Sequence, residues 1–557
     1  MRKLDFDNIN KAYQEWNENV LSEWLKKHPE IREEFTTKTG LPLERVSIPK
    51  DHNYLENINF PGQFPFTRGI NPTMYRSEYW VMGQYSGFAS AKEANKRLKY
   101  LIDQGQTGFS IALDLPTQMG IDSDNDKSVG EVGRVGVAMD SLQDIEELLE
   151  GIPFEKVKQI RTTANAISPI ALAMIVAFAE KNNIDPNSIR VLIQNDILKE
   201  FLGRGTYIYP PKQSVKLSID VIEYTSKHLP NWVPMAICGY HIRDSGSTAV
   251  QELAYTFANA IAYIEEALNR GLDIDDFASK LFTFLAADMD IFEEAAKFRA
   301  ARRIWAKLMK ERFNSEKDEC MALNIFAYTL GGSLTSQQPL NNIVRVTLQA
   351  LTAVMGGVQV LATSSYDEAL GLPSEKAVTT ALRTQQIIAY ESGVTGMVDP
   401  LGGSHALESL TDQLEQEVET ELNKIESLGG AITSIENGII QKRISDSAYE
   451  YQKRMETGDR SVVGVNKFCH SEEGSEMPVF KVSPVAEKEQ RERVKNLKNN
   501  RENDKVRKCL DQIKIAAEKE ENLIPSIIDS IKNYATVEEI SNVLREVYGT
   551  YKDPAVF

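Results

Sequence analysis

Cysteine, histidine and long apolar runs are all scarce in this 557-residue chain. The four cysteines, Cys238, Cys320, Cys469 and Cys509, show no CxxC spacing, which argues against zinc sites and disulfides and suits a reducing cytoplasm. No run of about 18 apolar residues occurs, and the start of the chain lacks the apolar core of a secretory signal. We therefore expect a cytoplasmic protein with no membrane partner.

Positive charge is also in deficit, because the formal net charge is −17. Nucleic acid is not an expected partner, since binding its phosphates needs a basic surface. An anionic small ligand stays possible, because a local basic pocket can outweigh the global charge. The apolar content of 42% is ordinary for a globular protein, and the length suits two to four domains or one large barrel with appendages.

Short apolar segments alternate with helical patterns from about residue 87 onward. The strand candidates are 108–115, 159–165, 190–196, 233–240, 280–288, 321–329 and 358–365. Alternation repeated seven or eight times is typical of a parallel α/β fold, and the count favours a (β/α)8 barrel over an open sheet. The predicted order is a helical arm with an extended segment (1–60), the barrel (61–410), a helical extension (411–475) and a charged helical tail (476–557). Within that tail, the charge run at 487–522 is interpreted as a solvated helix face or a cover for a partner subunit.

The segment ICGYHIRDSG at 237–246 places one of only six histidines at a predicted strand end. A long amphipathic helix follows, with Ser245 as a plausible N-cap and Gly271 as a plausible stop. Because α/β enzymes keep their chemistry where a strand hands over to a helix, Tyr240 and His241 are candidate catalytic residues. A hydrogen-bonded core histidine explains the pattern equally well.

Polar residues also end the third strand candidate. Gln194, Asn195 and Asp196 form a cluster whose burial costs free energy unless it is satisfied, which predicts a ligand or a hydrogen-bond network. Arg204 follows in a glycine-flanked loop, where it can bind a carboxylate or phosphate. A salt bridge to Asp196 or Glu200 is the commoner role for such an arginine.

Two further residues have both a functional and an ordinary interpretation. Tyr85 precedes two small residues and is either a ring over a cavity or part of the core. Glu368 follows the last strand candidate and either accepts hydroxyl hydrogen bonds or starts a helix. The sequence has no P-loop, no GxGxxG after a strand, no HExxH and no Ser/His/Asp order. These patterns alone indicate an α/β-barrel enzyme of unknown reaction.

Eight collinear blocks between about residue 5 and residue 467 resemble the methylmalonyl-CoA mutase family. They read ALDLPTQMGIDSD, QNDILKEF, RGTYIYPP, GYHIRDSG, RAARRIWAKLM, TSQQPLNNIVR, ALRTQQIIAYESGV and VDPLGGS. In that family a (β/α)8 barrel binds the acyl-CoA along its axis, and a separate domain binds adenosylcobalamin through an Asp-x-His-x-x-Gly motif. No histidine here stands in such a motif. The resemblance therefore implies a large subunit whose corrin is bound mainly by a separate small cobalamin-binding subunit, in a heterotetramer or dimer of heterodimers.

The resemblance also implies roles for individual residues. The family residue matching His241 hydrogen-bonds the thioester oxygen, assisted by the one matching Gln194, while those matching Tyr240 and Tyr85 border the substrate. A radical formed by cobalt–carbon homolysis takes a substrate hydrogen, and the thioester carbonyl migrates by a 1,2-shift. Further substrate-binding residues implied are Thr163, Gln359, Thr73, Met74 and Lys280. Further cofactor-binding residues implied are Glu368, Ser364, Asp244, Gly331 and Gly332, with no metal ligand.

Three positions bear on the acyl group. Arg204 matches the arginine that pairs with the free carboxylate of methylmalonyl and succinyl groups, where isobutyryl-type members carry glutamine. Tyr85 matches a tyrosine that isobutyryl members replace with phenylalanine, and Ala112 matches an aspartate of hydroxyisobutyryl members. All three favour a dicarboxylic acyl-CoA. An isobutyryl- or hydroxyisobutyryl-type mutase and a non-catalytic assembly subunit of the same family remain alternatives.

The chain departs from the family pattern around this pocket. Two family arginines near the CoA phosphates and the acyl group are Glu78 and Gly83 here. A pocket histidine and glutamine of the family are Phe326 and Tyr328. These changes imply a more apolar pocket and an acyl group that is bulkier or differently functionalised.

Overall fold

A computed structural model describes residues 6–30, 34–86, 90–469 and 484–552. Eight parallel strands form one sheet in the order β4-β3-β2-β1-β8-β7-β6-β5. They are β1 (Val81–Ser86), β2 (Gly108–Ile111), β3 (Gln159–Thr162), β4 (Val191–Ile193), β5 (Met235–Cys238), β6 (Leu281–Ala287), β7 (Asn324–Thr329) and β8 (Val360–Ala362). A bridge between Leu192 and Val233 joins the two outer strands. The sheet therefore closes into a barrel.

One long helix follows each strand on the outside of the barrel. These are α1 (Ala91–Asp103), α2 (Leu142–Leu149), α3 (Ser168–Lys181), α4 (Pro211–His228), α5 (Ala249–Asn269), α6 (Ile291–Lys307), α7 (Asn341–Met355) and α8 (Glu375–Tyr390). Shorter helices are Leu115–Gln118, Tyr240–Asp244, Ile274–Phe277 and Asp318–Met321. The (β/α)8 barrel predicted from the alternation is confirmed.

The start of α5 differs from the prediction. Thr248, not Ser245, is the N-cap, and it forms a capping box with Gln251. Ser245 instead ends the short helix Tyr240–Asp244, which the amphipathic pattern does not separate from α5. Gly271, with a φ of +82°, follows the end of α5 as predicted.

Strand β1 is the one barrel strand that the sequence pattern misses. Its sequence, VMGQYS, has a glycine at the centre and no run of β-branched residues. Gly83 is needed because the guanidinium of Arg161 occupies the space in front of it. A Cβ added at Gly83 would lie 1.9 Å from Arg161 Nη2.

A column of flat side chains crosses the barrel interior. The ring of Tyr240 stacks on Phe284 at 5.0 Å, and Phe284 stacks on Phe326 at 4.4 Å between ring centroids. The guanidinium of Arg161 lies 4.8 Å from the centroid of Phe326. Large side chains from β3, β6, β7 and the segment directly after β5 therefore meet in the barrel interior at this level.

The remaining helices lie before and after the barrel. The N-terminal segment carries Phe6–Trp16, Ser22–Leu25 and Tyr54–Asn57. After the barrel come α9 (His405–Ser427), α10 (Gly430–Glu436), α11 (Ile439–Glu456), α12 (Pro484–Asn500), α13 (Asn503–Glu518), α14 (Ile524–Lys532) and α15 (Val537–Tyr548). In the described ranges no helix is both long and apolar enough to span a membrane. The predicted domain limits at 60, 410 and 475 stay predictions.

The charged run at 487–522 is not simply a solvated face. Gln490 on α12 is buried and donates hydrogen bonds to Asp140 and Asp144, which lie between β2 and the first turn of α2. Lys498 forms salt bridges to Asp122 and Asp124. The outward residues of α12, such as Glu489, Glu492 and Lys495, are exposed as predicted, whereas Gln490 and Lys498 meet acids on the barrel that the sequence pattern does not pair with this helix.

Candidate functional site

A cavity of about 230 Å³ lies at the carboxyl end of the barrel strands. Its walls combine the rings of Phe284, Phe326 and Tyr328 with polar side chains from loops after several strands. The sequence-predicted site residues that it brings together are Thr163, Gln194, Arg204, Tyr240, His241, Asp244 and Glu368. The position is the one expected for the active site of a (β/α)8 barrel.

His241 contributes a neutral imidazole with one defined tautomer. Burial lowers the pKa of His241 well below its usual value, and the nearby charges of Lys199 and Arg204 lower that pKa further. Lys199 Nζ lies 3.1 Å from His241 Nδ1. Because an ammonium group only donates, Nδ1 accepts this bond and the ring proton resides on Nε2. The Nε2–H group has no partner among the described residues, so it is available to a ligand in the cavity.

Gln194 is oriented by the same lysine. Its Oε1 accepts from Lys199 Nζ at 3.1 Å and from Asn165 Nδ2 at 2.9 Å. Both neighbours are donors, so the amide oxygen points to them and the amide NH₂ group is left for the cavity. His241 and Gln194 thus present two N–H donors from neighbouring strand ends. Such a pair is suited to a carbonyl oxygen that gains negative charge.

Lys199 uses all three of its N–H groups in this cluster. Besides His241 and Gln194, it pairs with Glu200 Oε1 at 2.6 Å, and both side chains are fully buried. Burial alone would raise the pKa of Glu200, but the charges of Lys199 and Arg204 outweigh it and hold that pKa below its usual value. The buried pair is therefore ionised and fully hydrogen-bonded.

Arg204 lies at the edge of the cavity with part of its guanidinium unpaired. Its Nη1 is 3.6 Å from Glu200 Oε1, which is too long for a hydrogen bond, and this nitrogen has no partner among the described residues. The predicted salt bridge between Arg204 and Glu200 is therefore only a distant contact, because Glu200 already pairs with Lys199 at 2.6 Å. The free donor suits a carboxylate oxygen of a ligand.

The opposite wall is acidic, and the backbone N–H groups of two glycines hold its side chains from behind. Gly331 N donates to Tyr240 Oη at 3.1 Å, and Gly332 N donates to Asp244 Oδ1 at 2.9 Å. Burial raises the pKa of Glu368 to about 7, and the like charge of Asp244 contributes. Glu368 lies in a turn and does not start a helix.

Other predicted site residues lie elsewhere. Thr73, Met74, Lys280 and Gln359 each precede a strand, so they sit at the amino-terminal end of the barrel, opposite the cavity. Among the described residues, Gln359 bonds to backbone there, accepting from Ile325 N and donating to Gly357 O. Ser364 is buried against Thr329.

Tyr85 is only partly described. Its backbone belongs to β1, whereas its side chain lies outside the described part of the structure. In the described ranges, no group of three or more metal-ligating side chains occurs.

Sequence reasoning misses Lys199, Asn165 and the structural roles of two neighbours. Asn195 donates to Ser218 O and Pro234 O, while Asp196 accepts from Cys238 N at 2.6 Å and from Tyr263 Oη at 2.7 Å. Both side chains are therefore hydrogen-bonded within the protein and have a structural role. Lys199 lies in the short helical segment Leu198–Phe201 after β4, and the sequence carries no signal that this lysine is buried or that it contacts His241.

The barrel thus carries a cavity with oriented donors and aromatic walls at the carboxyl end of its strands, where enzymes of this fold keep their active sites. A family model described as methylmalonyl-CoA mutase matches residues 36–550. The chain belongs to the methylmalonyl-CoA mutase family, and as a member it is an isomerase of the acyl-CoA mutase class.

Individual relatives agree with this assignment. The chain is 44% identical over 546 residues to the 2-hydroxyisobutanoyl-CoA mutase large subunit of Aquincola tertiaricarbonis, covering 98% of this chain and 97% of that relative. It is 40% identical over 520 residues to a probable mitochondrial methylmalonyl-CoA mutase of Caenorhabditis elegans, covering 93% and 70%. It is 38% identical over 518 residues to the methylmalonyl-CoA mutase of Rhizobium meliloti, covering 92% and 72%.

Proposed function

We propose that this chain is the large subunit of an adenosylcobalamin-dependent mutase that rearranges the carbon skeleton of an acyl-CoA bearing a free carboxylate. The observation that carries this proposal is the pair of N–H donors on His241 and Gln194 in one cavity with the unpaired Nη1 of Arg204. Two donors fit a thioester oxygen, and the guanidinium fits a carboxylate. An acyl group of a few carbons fits the cavity volume of about 230 Å³ and could contact the two N–H donors at one end and Arg204 at the other.

The residues of this chain act by placement and electrostatics. His241 and Gln194 donate to the thioester oxygen, where they stabilise the charge and spin that gather as the carbonyl group migrates. Lys199 holds both donors in place, so they need no reorganisation during the reaction. The rings of Phe284, Phe326 and Tyr328 exclude water from the reacting carbons, which protects a radical from side reactions.

The opposite wall fits the adenosyl part of the cofactor. Oε1 of Glu368 has no hydrogen-bond partner among the described residues and can accept from a ribose hydroxyl group. At Gly332 an added Cβ would lie 2.7 Å from Asp244 Oδ1, so a glycine keeps the backbone close to this wall. Asp244 and Glu368 would hold the nucleoside. Adenosylcobalamin, when bound, supplies the radical that starts the rearrangement.

A partner subunit follows from the same proposal. One relative, which this chain covers almost end to end, is named a large subunit, and that name implies a partner. The methylmalonyl-CoA mutase relatives are longer than the matched region. We propose a small cobalamin-binding subunit as the partner, in a cytoplasmic heterotetramer or dimer of heterodimers.

A 2-hydroxyacyl-CoA is the second candidate substrate. The relative with 44% identity is a 2-hydroxyisobutanoyl-CoA mutase subunit, and the aromatic wall of the cavity suits a branched, apolar acyl group. Against it, Ala112 offers no side-chain acceptor for a hydroxyl group, and Arg204 would lack a carboxylate. A non-catalytic role is not favoured, because a passenger chain has no need for oriented donors in a cavity.

A substrate panel tests the proposal. The chain, a cobalamin-binding subunit and adenosylcobalamin are incubated with methylmalonyl-, isobutyryl- and 2-hydroxyisobutyryl-CoA, and the isomers are separated by mass spectrometry. We expect a carboxylated acyl-CoA to rearrange fastest and Arg204→Gln to remove that preference. Equal turnover of isobutyryl-CoA by the wild type and the variant contradicts the carboxylate assignment. No rearrangement of any compound contradicts the mutase assignment.

A further inference from the structure

Arg161 on β3 is a fully buried arginine with no counter-charge among the described residues. Its side chain is 1% exposed, and its Nε, Nη1 and Nη2 atoms have no hydrogen-bond partner among the residues that the structure describes. Burial lowers its pKa to about 10, and no acid opposes that shift. A buried charge without a partner is strongly unfavourable, so its retention needs a reason.

The guanidinium lies inside the barrel, one layer of side chains from the cavity toward the amino-terminal ends of the strands. Arg161 and Thr163 share the inner face of β3, because alternate residues of a strand point the same way, and Thr163 lines the cavity. The guanidinium stacks on Phe326, whose ring is also part of the cavity wall. Gly83 leaves room for it on β1.

Arg302 shows how this protein treats an arginine that is purely structural. It is equally buried, at 1% exposed, but all three of its nitrogens donate to backbone oxygens. Nε donates to Phe66 O at 2.9 Å, Nη1 to Gly356 O at 2.7 Å and Nη2 to Thr67 O at 2.9 Å. Arg161 has none of these bonds, so packing alone does not account for it.

Two buried glutamines near the amino-terminal ends of β2 and β3 also have side-chain amide atoms without a described hydrogen-bond partner. Gln159, two residues before Arg161 on the inner face of β3, is buried and its Oε1 has no partner among the described residues. Both amide atoms of Gln106, just before β2, are also buried without a described partner. Unpaired polar atoms thus occur on β3 and just before β2, whereas Phe282 and Phe326 belong to an apolar cluster on β6 and β7.

We infer that Arg161 is a ligand-binding residue, which donates to an acceptor oxygen on the part of the ligand that extends past the thioester into the barrel. This inference rests on the proposed function, since it takes the ligand to be an acyl-CoA. The amide carbonyls of the pantetheine arm are the oxygens nearest a thioester, and the amides of Gln159 and Gln106 match the same chemistry. A second carboxylate on the acyl group would supply the same kind of oxygen.

The test compares Arg161→Met with Arg302→Met in two measurements. Without ligand, Arg161→Met raises Tm by about 1–3 °C, because an unpaired charge is replaced by an apolar chain of similar length, whereas Arg302→Met lowers Tm. With ligand, Arg161→Met weakens binding of free coenzyme A and of an acyl-CoA by about 10- to 100-fold in calorimetry. Arg190→Met, at an exposed arginine just before β4, changes neither quantity.

The two ligands separate the possible sources of the oxygen. Weaker binding of free coenzyme A, which lacks an acyl group, identifies the arm. Loss restricted to a dicarboxylic acyl-CoA identifies the acyl carboxylate and equally supports the role of Arg161. A lower Tm with unchanged dissociation constants for both compounds overturns that role. If the wild-type protein binds neither compound, the proposed function itself fails, so the two failures are distinguishable.

Discussion

His241 and Lys199 act as one unit at the residue scale. The lysine donates to Nδ1 of the imidazole at 3.1 Å and thereby fixes the proton on Nε2. Burial is the main reason that the pKa of the ring is lowered and the ring is neutral, and the positive charge of Lys199 lowers that pKa further. The tautomer of His241, and with it the N–H group that faces the cavity, is thus determined by Lys199, which does not itself line the cavity.

Replacing Lys199 with Met tests this coupling. We expect the pKa of His241 to rise toward its usual range, since burial remains but one positive neighbour is removed. Turnover falls by about 10- to 100-fold, because the ring is free to adopt the other tautomer. Histidine NMR suits the test, as the chain has only six histidines.

Two controls show whether the effect of Lys199→Met on His241 is specific. The resonances of His52, whose Nδ1 bonds to Asp412, serve as an internal control and stay unchanged. Lys199→Met combined with Glu200→Gln removes the unpaired acid that the single variant leaves, and separates a folding defect from a tautomer effect. The same His241 tautomer and titration in wild type and variant would show that Lys199 does not position the ring.

Glu368 gives a pH-dependent prediction. Its pKa is raised to about 7 from an ordinary value of 4.5, so between these limits the folded state holds a proton that the unfolded state releases. The free energy of unfolding therefore falls as pH rises through this window. The variant Glu368→Gln cannot titrate, so its free energy of unfolding does not fall in this way. Relative to wild type it should therefore rise by about 1–2 kcal/mol between pH 5 and pH 8, a range reduced to account for the contact of the cavity with solvent. Tm measured against pH checks this, and a constant gap contradicts it.

Helix α14 illustrates what individual elements contribute. It lies against α3 and is apolar on one side, where Ile524, Ile527 and Ile531 are fully buried. Ile527→Ala should reduce the free energy of unfolding by about 2–4 kcal/mol in urea, because it removes buried methyl groups and leaves a cavity. Ile515→Ala on α13 is the matched control, since that side chain is 41% exposed, and its effect stays below about 0.5 kcal/mol. Equal effects would mean that α14 does not pack as described.

The elements also show what the sequence predicts and what it does not. Seven strands stand out as short apolar segments, because both faces of a barrel strand are buried. β1 does not stand out, since Gly83 accommodates a side chain from another strand. His241, Gln194 and Arg204 can be predicted because they follow recognisable strand ends. Lys199 and Arg161 cannot, because their roles depend on partners, or on missing partners, that only the folded barrel places nearby.

At the scale of the whole molecule, the barrel and a partner subunit should form the working unit. We expect the chain alone to show no mutase activity with adenosylcobalamin and acyl-CoA, and a cobalamin-binding subunit to restore it in a stable complex. Size-exclusion chromatography of the mixture, with activity measured in each fraction, checks this. Activity that elutes with the isolated chain contradicts the proposed division of cofactor binding.

The central claim is that two N–H groups polarise a thioester carbonyl inside the barrel. Isotope-edited infrared spectroscopy of a bound acyl-CoA with a ¹³C-labelled thioester carbon measures that polarisation directly. The account predicts a C=O stretch at clearly lower frequency than in water for the wild-type protein, and loss of most of the shift in His241→Phe and Gln194→Leu. An unshifted band, or a shift that both variants retain in full, would contradict it.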